Sequence, residues 1–377
     1  MPWPKADIMT LRADFVMQAK SGQLTHQELC NRFGICRATG YKWLGRFNKQ
    51  RTLESLKDLS RRPRSIVNKI SDTVESFLVE LRKQYPRWGA KKLRVLFSEK
   101  HSDLLCPSER TINRIISRNG LLSETSSRGT AFKRFEYPFS NELWQMDYKG
   151  EFLIKPRQYC YPLTVLDDHS RFNLVLDAHV STKGDGVQES LTKTFRHYGM
   201  PLRMLMDRGS PWYAAADRRH HWTYLSLWLM KLDIQVIFSG SYHPQTLGKD
   251  ERFHRTLKYD LIEQSSFGSF EEAQCSFDGF RQEYNFVRPH EALGFKRPYE
   301  RYSPSPKKFP ESIKAPEYPL GAVVRKVHRT GWIRYKGLEL HVHHSLHGEP
   351  VRVVDQGNGL IEVYYRNTLV KEHDLKT

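Results

Sequence analysis

The feature of this sequence that most restricts its fold is a fixed order of strand-like and helix-like segments between residues 143 and 260. Three strand patterns come first, and they are followed by helix, strand, helix, strand and helix. The predicted strands are residues 143–154, 158–168, 171–180, 202–206 and 233–238, and the predicted helices are residues 183–198, 214–231 and the segment from Lys249 onward. The order βββαβαβα predicts an α/β unit with a mixed five-stranded sheet and helices on both faces.

Two acidic residues occupy strand positions where charged side chains are uncommon. Asp147 lies within the first predicted strand, and Asp207 ends the fourth. Carboxylates at such positions usually bind something, because burying an unpaired charge is costly. The order of elements is that of the ribonuclease-H-like fold, in which the middle of strand one and the end of strand four are neighbours. The helix after strand five would bring Glu251 beside them.

Three converging carboxylates would repel one another and raise one another's pKa values. A divalent metal removes this conflict, and oxygen-only ligands suit Mg²⁺ or Mn²⁺. We therefore predict that Asp147, Asp207 and Glu251 hold two Mg²⁺ ions, for which Mn²⁺ may substitute, and catalyse in-line phosphoryl displacement. Arg255 and Lys258 share a helix face with Glu251, which suits a metal beside an anionic polymer. The same spacing also fits an ordinary solvated helix.

The residue next to Glu251 is also acidic, and so are two neighbouring residues in LDDHSRF. Asp250 would point about 100° away from Glu251 on the helix, so we expect it in solvent. Asp167 and Asp168 could be additional ligands, but Asp-Asp-His-Ser is good turn chemistry, and the turn is the preferred interpretation.

Residues 1–50 are predicted to form a helix-turn-helix domain. Thr25 can cap one helix, Gly34 allows a tight turn, and a second helix follows over residues 37–47. Tyr41 and Leu44 are expected to face inward. The outward candidates for contact with DNA are Arg37, Thr39, Lys42 and Arg46. Any short helical hairpin would share this spacing.

Two further basic segments precede residue 123. Residues 51–66 are predicted to be a linker whose SRRPR run either follows phosphates or is a solvated tether, and its basic residues are Arg61, Arg62 and Arg64. Residues 67–122 are predicted to form a second helical DNA-binding domain, whose last helix is capped by Ser108 and ended by Gly120. That helix offers Arg110, Asn113 and Arg114 to DNA, although simple helical packing would give the same pattern.

The charge distribution favours a polyanionic partner. Residues 1–140 carry 27 basic and 13 acidic residues, so most of the net charge of +18 lies there. Ribosome or heparin binding would look similar. The five cysteines are scattered without a CxxC motif, and we interpret them as reduced, mostly buried thiols of a cytoplasmic protein. No apolar run reaches the ~18–20 residues of a membrane span, and no signal-peptide pattern is present.

The rest of the chain divides by composition. We predict a linker at residues 123–140, the α/β core at residues 141–300 and a Pro- and Lys-rich linker at residues 301–319. Residues 320–377 contain short strands separated by turns, which predict a small all-β, SH3-like barrel. The histidines in HVHHSLH are more typical of packing in a strand than of a metal site.

A resemblance to a known family rests on four motifs, WQMDYKG, LMDRGSPW, YHPQTLGKDERFHRTLK and YNFVRPHEALGFKRP. These motifs resemble the catalytic core of the retroviral-integrase superfamily and, within it, the DDE transposases of bacterial insertion sequences. The helix-turn-helix region and the SRRPR linker are similar to the same transposases. The resemblance implies that Asp147, Asp207 and Glu251 form the metal-binding triad, with 59 and 43 residues between successive members. It also implies that Arg255 and Lys258 contact DNA.

The predicted function is therefore that of an insertion-sequence transposase. Such an enzyme binds terminal inverted repeats, cleaves a strand with water and transfers the freed 3′-OH to target DNA. The expected partners are double-stranded DNA, as element ends and target, and further copies of the chain in a dimer or higher assembly. One alternative is a DNA-binding regulator derived from a transposase with an inactive core. Another is a ribonuclease-H-like or junction-resolving nuclease that acts without residues 1–122.

Overall fold

The computed structural model describes residues 7–60, 70–122, 136–213, 222–239 and 248–375. The chain forms two compact units, Met1–Lys69 and Ile70–Thr377. The predicted contacts at Arg61, Arg62 and Arg64 and the predicted loop at 242–247 lie outside the described residues.

The first unit contains the three helices that a helix-turn-helix requires, α1 Ile8–Ser21, α2 His26–Arg32 and α3 Arg37–Gln50. Thr25 and Glu28 form a capping box at the start of α2, and Gly34 makes the turn with φ of 63°. One expectation was wrong, because Tyr41 is 56% exposed and stacks on His26, whereas Trp43 and Phe47 fill the core.

The second unit begins with three helices around their own apolar core, α4 Asp72–Gln84, α5 Ala90–Lys100 and α6 Glu109–Arg118. Ser71 and Ser108 cap α4 and α6 with their hydroxyl oxygens. The three isoleucines of α6 are buried, as the sequence predicts, so its charged residues face outward.

The α/β core has the predicted order of elements with one additional strand. Its strands are β1 Leu143–Tyr148, β2 Phe152–Lys155, β3 Gln158–Asp167, β4 Asn173–His179, β5 Arg203–Met206 and β6 Gln235–Phe238. The sheet runs β4-β3-β1-β5-β6, and β2 continues the pairing of β1 along β3. The break between β1 and β2 includes Gly150, which has φ of 87°. Strands β1, β5 and β6 are parallel, and β3 is antiparallel to β1 and β4.

Helices cover both faces of this sheet because the residues of β3 alternate between two cores. Val165 packs with α7 Gly184–Tyr198 and α8 Tyr224–Lys231 on one face. Leu166 packs with α9 Gly248–Asp260 and α10 Phe270–Gln282 on the other. The mixed sheet between helical layers is therefore confirmed.

Apolar packing and ion pairs join helices α4, α5 and α6 to the segment that follows α10. Val287 packs against their core, Lys91 pairs with Glu291 at 2.6 Å, and Glu99 forms a bidentate ion pair with Arg297.

The carboxyl-terminal residues form the small all-β region that the sequence predicts. Its strands are β7 Val323–Lys326, β8 Trp332–Tyr335, β9 Leu338–His341, β10 Pro350–Asp355, β11 Leu360–Tyr365 and β12 Thr368–Asp374. They make a four-stranded sheet, β12-β11-β10-β7, and the hairpin β8-β9. Their apolar residues join the core of α7 and α8, and the Trp222 indole N–H donates to the Val370 carbonyl at 2.9 Å.

Three composition-based expectations have structural outcomes. All five cysteines are free, but only Cys30 and Cys160 are buried, so the expectation of mostly buried thiols was wrong. The buried His343 ring accepts a hydrogen bond from the Ser345 amide, and no His, Cys, Asp and Glu cluster among the described residues could hold a metal ion. No helix in the described ranges is long and apolar enough to cross a bilayer.

The hydrogen bonds of the buried Asn285 side chain to the backbone of β4 give a prediction about stability. Its amide oxygen accepts from the Asn173 N–H at 2.8 Å, and its amide nitrogen donates to the Asn173 carbonyl at 2.9 Å. Asn285→Ala leaves both backbone groups of β4 buried without these partners, so we expect the unfolding free energy to fall by about 2 kcal/mol. Urea denaturation measures this. Gln282→Ala, an exposed amide one turn earlier, is the control, and an equal effect of the two substitutions would contradict the prediction.

Candidate active site

Asp147 and Asp207 lie side by side because β1 and β5 pair in parallel. Trp144 pairs with Met204 and Gln145 pairs with Leu205. Each aspartate lies two residues beyond the last of these pairs, so both occupy the same level of adjacent strands. The sequence predicted this juxtaposition, and the strand register accounts for it.

Asp147 responds strongly to this environment. Burial, followed by the nearby charges of Asp207 and Glu251, raises the pKa of its carboxyl to about 7, although the Tyr148 N–H, 2.8 Å from Oδ1, opposes the shift. A cation at this position would favour the ionised form.

The turn after β5 holds the Asp207 carboxylate. Oδ1 accepts hydrogen bonds from the Gly209 amide at 2.9 Å and from the Trp212 indole N–H. A Cβ atom on Gly209 would lie 2.9 Å from Oδ2 and 3.0 Å from Oδ1. Only glycine therefore fits this turn without displacing the carboxylate.

Glu251 lies on the exposed side of the first turn of α9. It is close enough to Asp147 to raise the pKa of that carboxyl. No three His, Cys, Asp or Glu side chains among the described residues are grouped closely enough to hold a metal ion. The structure thus brings Asp147 and Asp207 together and leaves Glu251 at their edge, directly after the undescribed residues 240–247.

The expectation that Asp250 lies in solvent was wrong. Its side chain is 0% exposed, because Asp250, Phe253 and Leu257 follow one another at i, i+3 and i+7 on the face of α9 that packs against the sheet. That periodicity was a signal in the sequence, but the acidic residue type outweighed it. Burial, together with the charges of Asp147 and Asp168, holds the pKa of Asp250 well above its usual range.

The preference for a turn at Asp167 and Asp168 is confirmed. Asp167 accepts bonds from the Ser170 amide at 2.8 Å and the Asn141 amide at 2.7 Å. Asp168 accepts from the Tyr137 amide and the Gln145 side chain, and it forms a buried ion pair with Lys249.

Sequence reasoning missed Lys249. It donates to the Asp168 backbone carbonyl at 2.8 Å in addition to pairing with the carboxylate. Since Lys249 is the second residue of α9, this contact ties the start of the helix that carries Glu251 to the end of β3. The sequence around Lys249 gave no indication that its partner would be Asp168, which is distant along the chain.

The predicted DNA contacts are placed unequally. Arg37 and Lys42 are exposed on α3. Thr39 bonds with the Cys36 thiol at 3.1 Å, and Arg46 lies over Trp43 and donates to the Lys57 carbonyl. On the other helices, Arg255 and Lys258 are exposed on α9, and an open groove along α6 is lined by Arg110, Asn113 and Arg114.

Comparison with known families agrees with this architecture. Two models described as integrase core domain match residues 139–244 and 232–298. A helix-turn-helix domain model matches residues 11–64, and a homeodomain-like domain model matches residues 39–116. The integrase core and helix-turn-helix matches together support the resemblance of this chain to the DDE transposases of insertion sequences. The resemblance in the four motifs is thereby confirmed for the family.

The relatives are themselves insertion-element proteins. An uncharacterized 31.7 kDa protein of insertion element IS407 from Burkholderia multivorans is 25% identical over 238 residues, which cover 61% of this chain and 80% of that protein. An uncharacterized protein of insertion element IS136 from Agrobacterium fabrum is 32% identical over 116 residues, or 30% of this chain and 55% of that protein. The match thus spans about half the length of the second relative.

Among solved structures, the catalytic core domain of HTLV-2 integrase in complex with magnesium is 12% identical with a TM-score of 0.33. The match covers 44% of this chain and 97% of that domain.

The buried Asp250 gives a prediction about stability and pH in the metal-free protein. Because its folded pKa lies above the unfolded one, the folded state keeps a proton that the unfolded state loses as pH rises, so this carboxyl costs stability above the unfolded pKa. Asp250→Asn removes that cost. We expect the variant to melt higher than the wild type at pH 8 and about equally near pH 4, as measured by calorimetry.

The control for this comparison is Asp278→Asn on the exposed side of α10. A gain for Asp250→Asn that does not grow with pH, or that Asp278→Asn reproduces, would contradict the assignment.

Proposed function

We propose that this protein is a transposase that binds the terminal inverted repeats of an insertion sequence and catalyses metal-dependent strand cleavage and strand transfer. The observation that carries the proposal is the pair of adjacent carboxylates, Asp147 and Asp207, with Glu251 within electrostatic reach, in an integrase core.

The donor set fits a magnesium pair. The three side chains supply only oxygen ligands. Burial and, after it, the charges of Asp207 and Glu251 raise the pKa of Asp147, and a bound cation would favour its ionised form. Asp147, Asp207 and Glu251 would hold the ions. Two bound Mg²⁺ ions, or Mn²⁺ in their place, supply activation of the attacking oxygen and stabilisation of the leaving oxygen.

The remaining steps fall to the chain's own residues. Arg255 and Lys258 lie one and two turns beyond Glu251 on exposed positions of α9, where they would bind phosphates next to the reacting bond. Lys249 holds the first turn of α9 against Asp168. The turn at Gly209 and Trp212 keeps Asp207 in place. No side chain is required to form a covalent intermediate.

The exposed faces of α3 and α6 would bind the element ends, through Arg37, Thr39 and Lys42 on α3 and Arg110, Asn113 and Arg114 on α6. Arg46 would approach DNA beside α3, and the SRRPR segment would follow phosphates. Two or more copies would hold two ends together. We further propose that the carboxyl-terminal strands form an SH3-like barrel. The proposed domains and linkers of the chain end at residues 50, 66, 122, 140, 300 and 319.

Glu251→Gln tests the catalytic part of the proposal. The substitution removes a charged oxygen ligand but keeps the side-chain shape, so we expect Mg²⁺-dependent cleavage of DNA carrying the element ends to fall by about 100-fold or more. Glu271→Gln, an exposed glutamate on α10, is the matched control and should cleave normally. Wild-type binding without any cleavage would favour the inactive regulator instead, and specific cleavage by residues 123–377 alone would favour the nuclease.

The salt dependence of DNA binding tests α6. If Arg110 and Arg114 each neutralise one phosphate, Arg110→Ala with Arg114→Ala should reduce the slope of log K against log salt by about 1.8. Filter binding or anisotropy between low and physiological salt measures the slope. Lys83→Ala, an exposed cation on α4, should leave it unchanged. Equal slopes for the double variant and the wild type would remove α6 from the DNA-binding surface.

A further inference from the structure

Trp212 contacts the Asp207 carboxylate from within the core. The indole is 1% exposed, and its N–H donates to Asp207 Oδ1. The Gly209 amide donates to the same oxygen at 2.9 Å. Both donors therefore converge on Oδ1, and within the described part of the chain no hydrogen bond reaches Oδ2. This leaves Oδ2 as the oxygen available to an ion.

The direction of the indole N–H is determined by packing. The Trp212 ring stacks on Tyr148 with centroids 5.3 Å apart and an interplanar angle of 19°. The Tyr148 hydroxyl in turn bonds to His179 Nδ1 at 3.2 Å, and His179 Nε2 bonds to the Ser190 hydroxyl at 3.1 Å. Rotation of the indole away from Asp207 would break the stack and open the core.

The backbone of the same turn adds a second restraint. The Trp212 amide donates to the Gly209 carbonyl at 3.2 Å, and the Trp212 carbonyl accepts from the Thr223 hydroxyl at 3.3 Å. The turn at residues 209–212 therefore restrains the Asp207 carboxylate through the Gly209 amide, and Thr223 at the start of α8 restrains the backbone of Trp212.

We infer that Trp212 is a positioning residue for the metal ligand Asp207. Its neutral donor holds the carboxylate and occupies Oδ1, so that Oδ2 is the oxygen left for an ion. Groups that hydrogen-bond to metal ligands commonly contribute 10- to 100-fold to metal affinity or activity. This inference rests on the proposed function, because it concerns the ion that Asp207 would bind.

A purely structural role for Trp212 is the competing explanation, and the chain offers a matched control. Trp222 is also a buried tryptophan of the same core, and its indole N–H donates to a backbone carbonyl rather than to a carboxylate. Trp→Phe at either position keeps an aromatic ring and removes one indole hydrogen bond. Only the substitution at Trp212 removes a bond to a proposed metal ligand.

The experiment measures the affinity of the full-length protein for Mg²⁺ alone, without DNA, from the Mg²⁺-dependent rise in melting temperature. We expect Trp212→Phe to bind Mg²⁺ about 10-fold more weakly than the wild type. Trp222→Phe should lose metal-free stability but keep the wild-type affinity. Equal Mg²⁺ affinity of Trp212→Phe and the wild type would overturn the inference, and so would an equal loss in both variants.

A second measurement does not depend on the folding of Trp212→Phe. In wild-type protein labelled with ¹⁵N-tryptophan, the Trp212 indole resonance should shift on addition of Mg²⁺, and Asp207→Asn should abolish the shift. A wild type that binds Mg²⁺ without any indole resonance moving would overturn the inference alone. A wild type that binds no Mg²⁺ would overturn the proposed function and the inference with it.

Discussion

The repulsion between two carboxylates on adjacent parallel strands is the constraint on which the rest of the site depends. The parallel register of β1 and β5 leaves Asp147, within β1, and Asp207, the residue directly after β5, at one level. Hydrogen bonds offset part of this repulsion. The Tyr148 amide donates to Asp147, and the Gly209 amide and the Trp212 indole donate to Asp207. Burial, together with the repulsion that remains, raises the pKa of Asp147.

The acids behind this pair show three different ways of burying a carboxyl group. Asp167 accepts hydrogen bonds from the amide and hydroxyl of Ser170 in its own turn and from the distant Asn141 amide. Asp168 shares its charge with Lys249 in a buried ion pair. Asp250 is held with a raised pKa, which favours the neutral acid. Each solution offsets part of the cost of burying a carboxyl group.

The sequence predicted the elements and the acidic pair better than it predicted their surroundings. Strand and helix patterns are local, and the neighbours Asp147 and Asp207 followed from the order of elements alone. Partners far apart along the chain, such as Lys249 with Asp168, leave no local signal. Two errors came from residue type: Tyr41 was expected inside because it is aromatic, and Asp250 outside because it is acidic. In both cases the position on the helix determined the burial. Tyr41 lies on the exposed side of α3, where it stacks on His26 of α2, and Asp250 shares the buried face of α9 with Phe253.

The core that α8 shares with the carboxyl-terminal strands has a consequence for how this protein can be divided. Trp222 and Val370 belong to one continuous apolar interior, and the ion pairs of Lys231 with Glu349 and of Asp233 with Arg366 lie around it. The final strands therefore complete the apolar interior of the α/β core and are not an independent addition to it. A chain that ended after residue 319 would expose this interior to water, and such a truncated molecule would be prone to association through the surface it had lost.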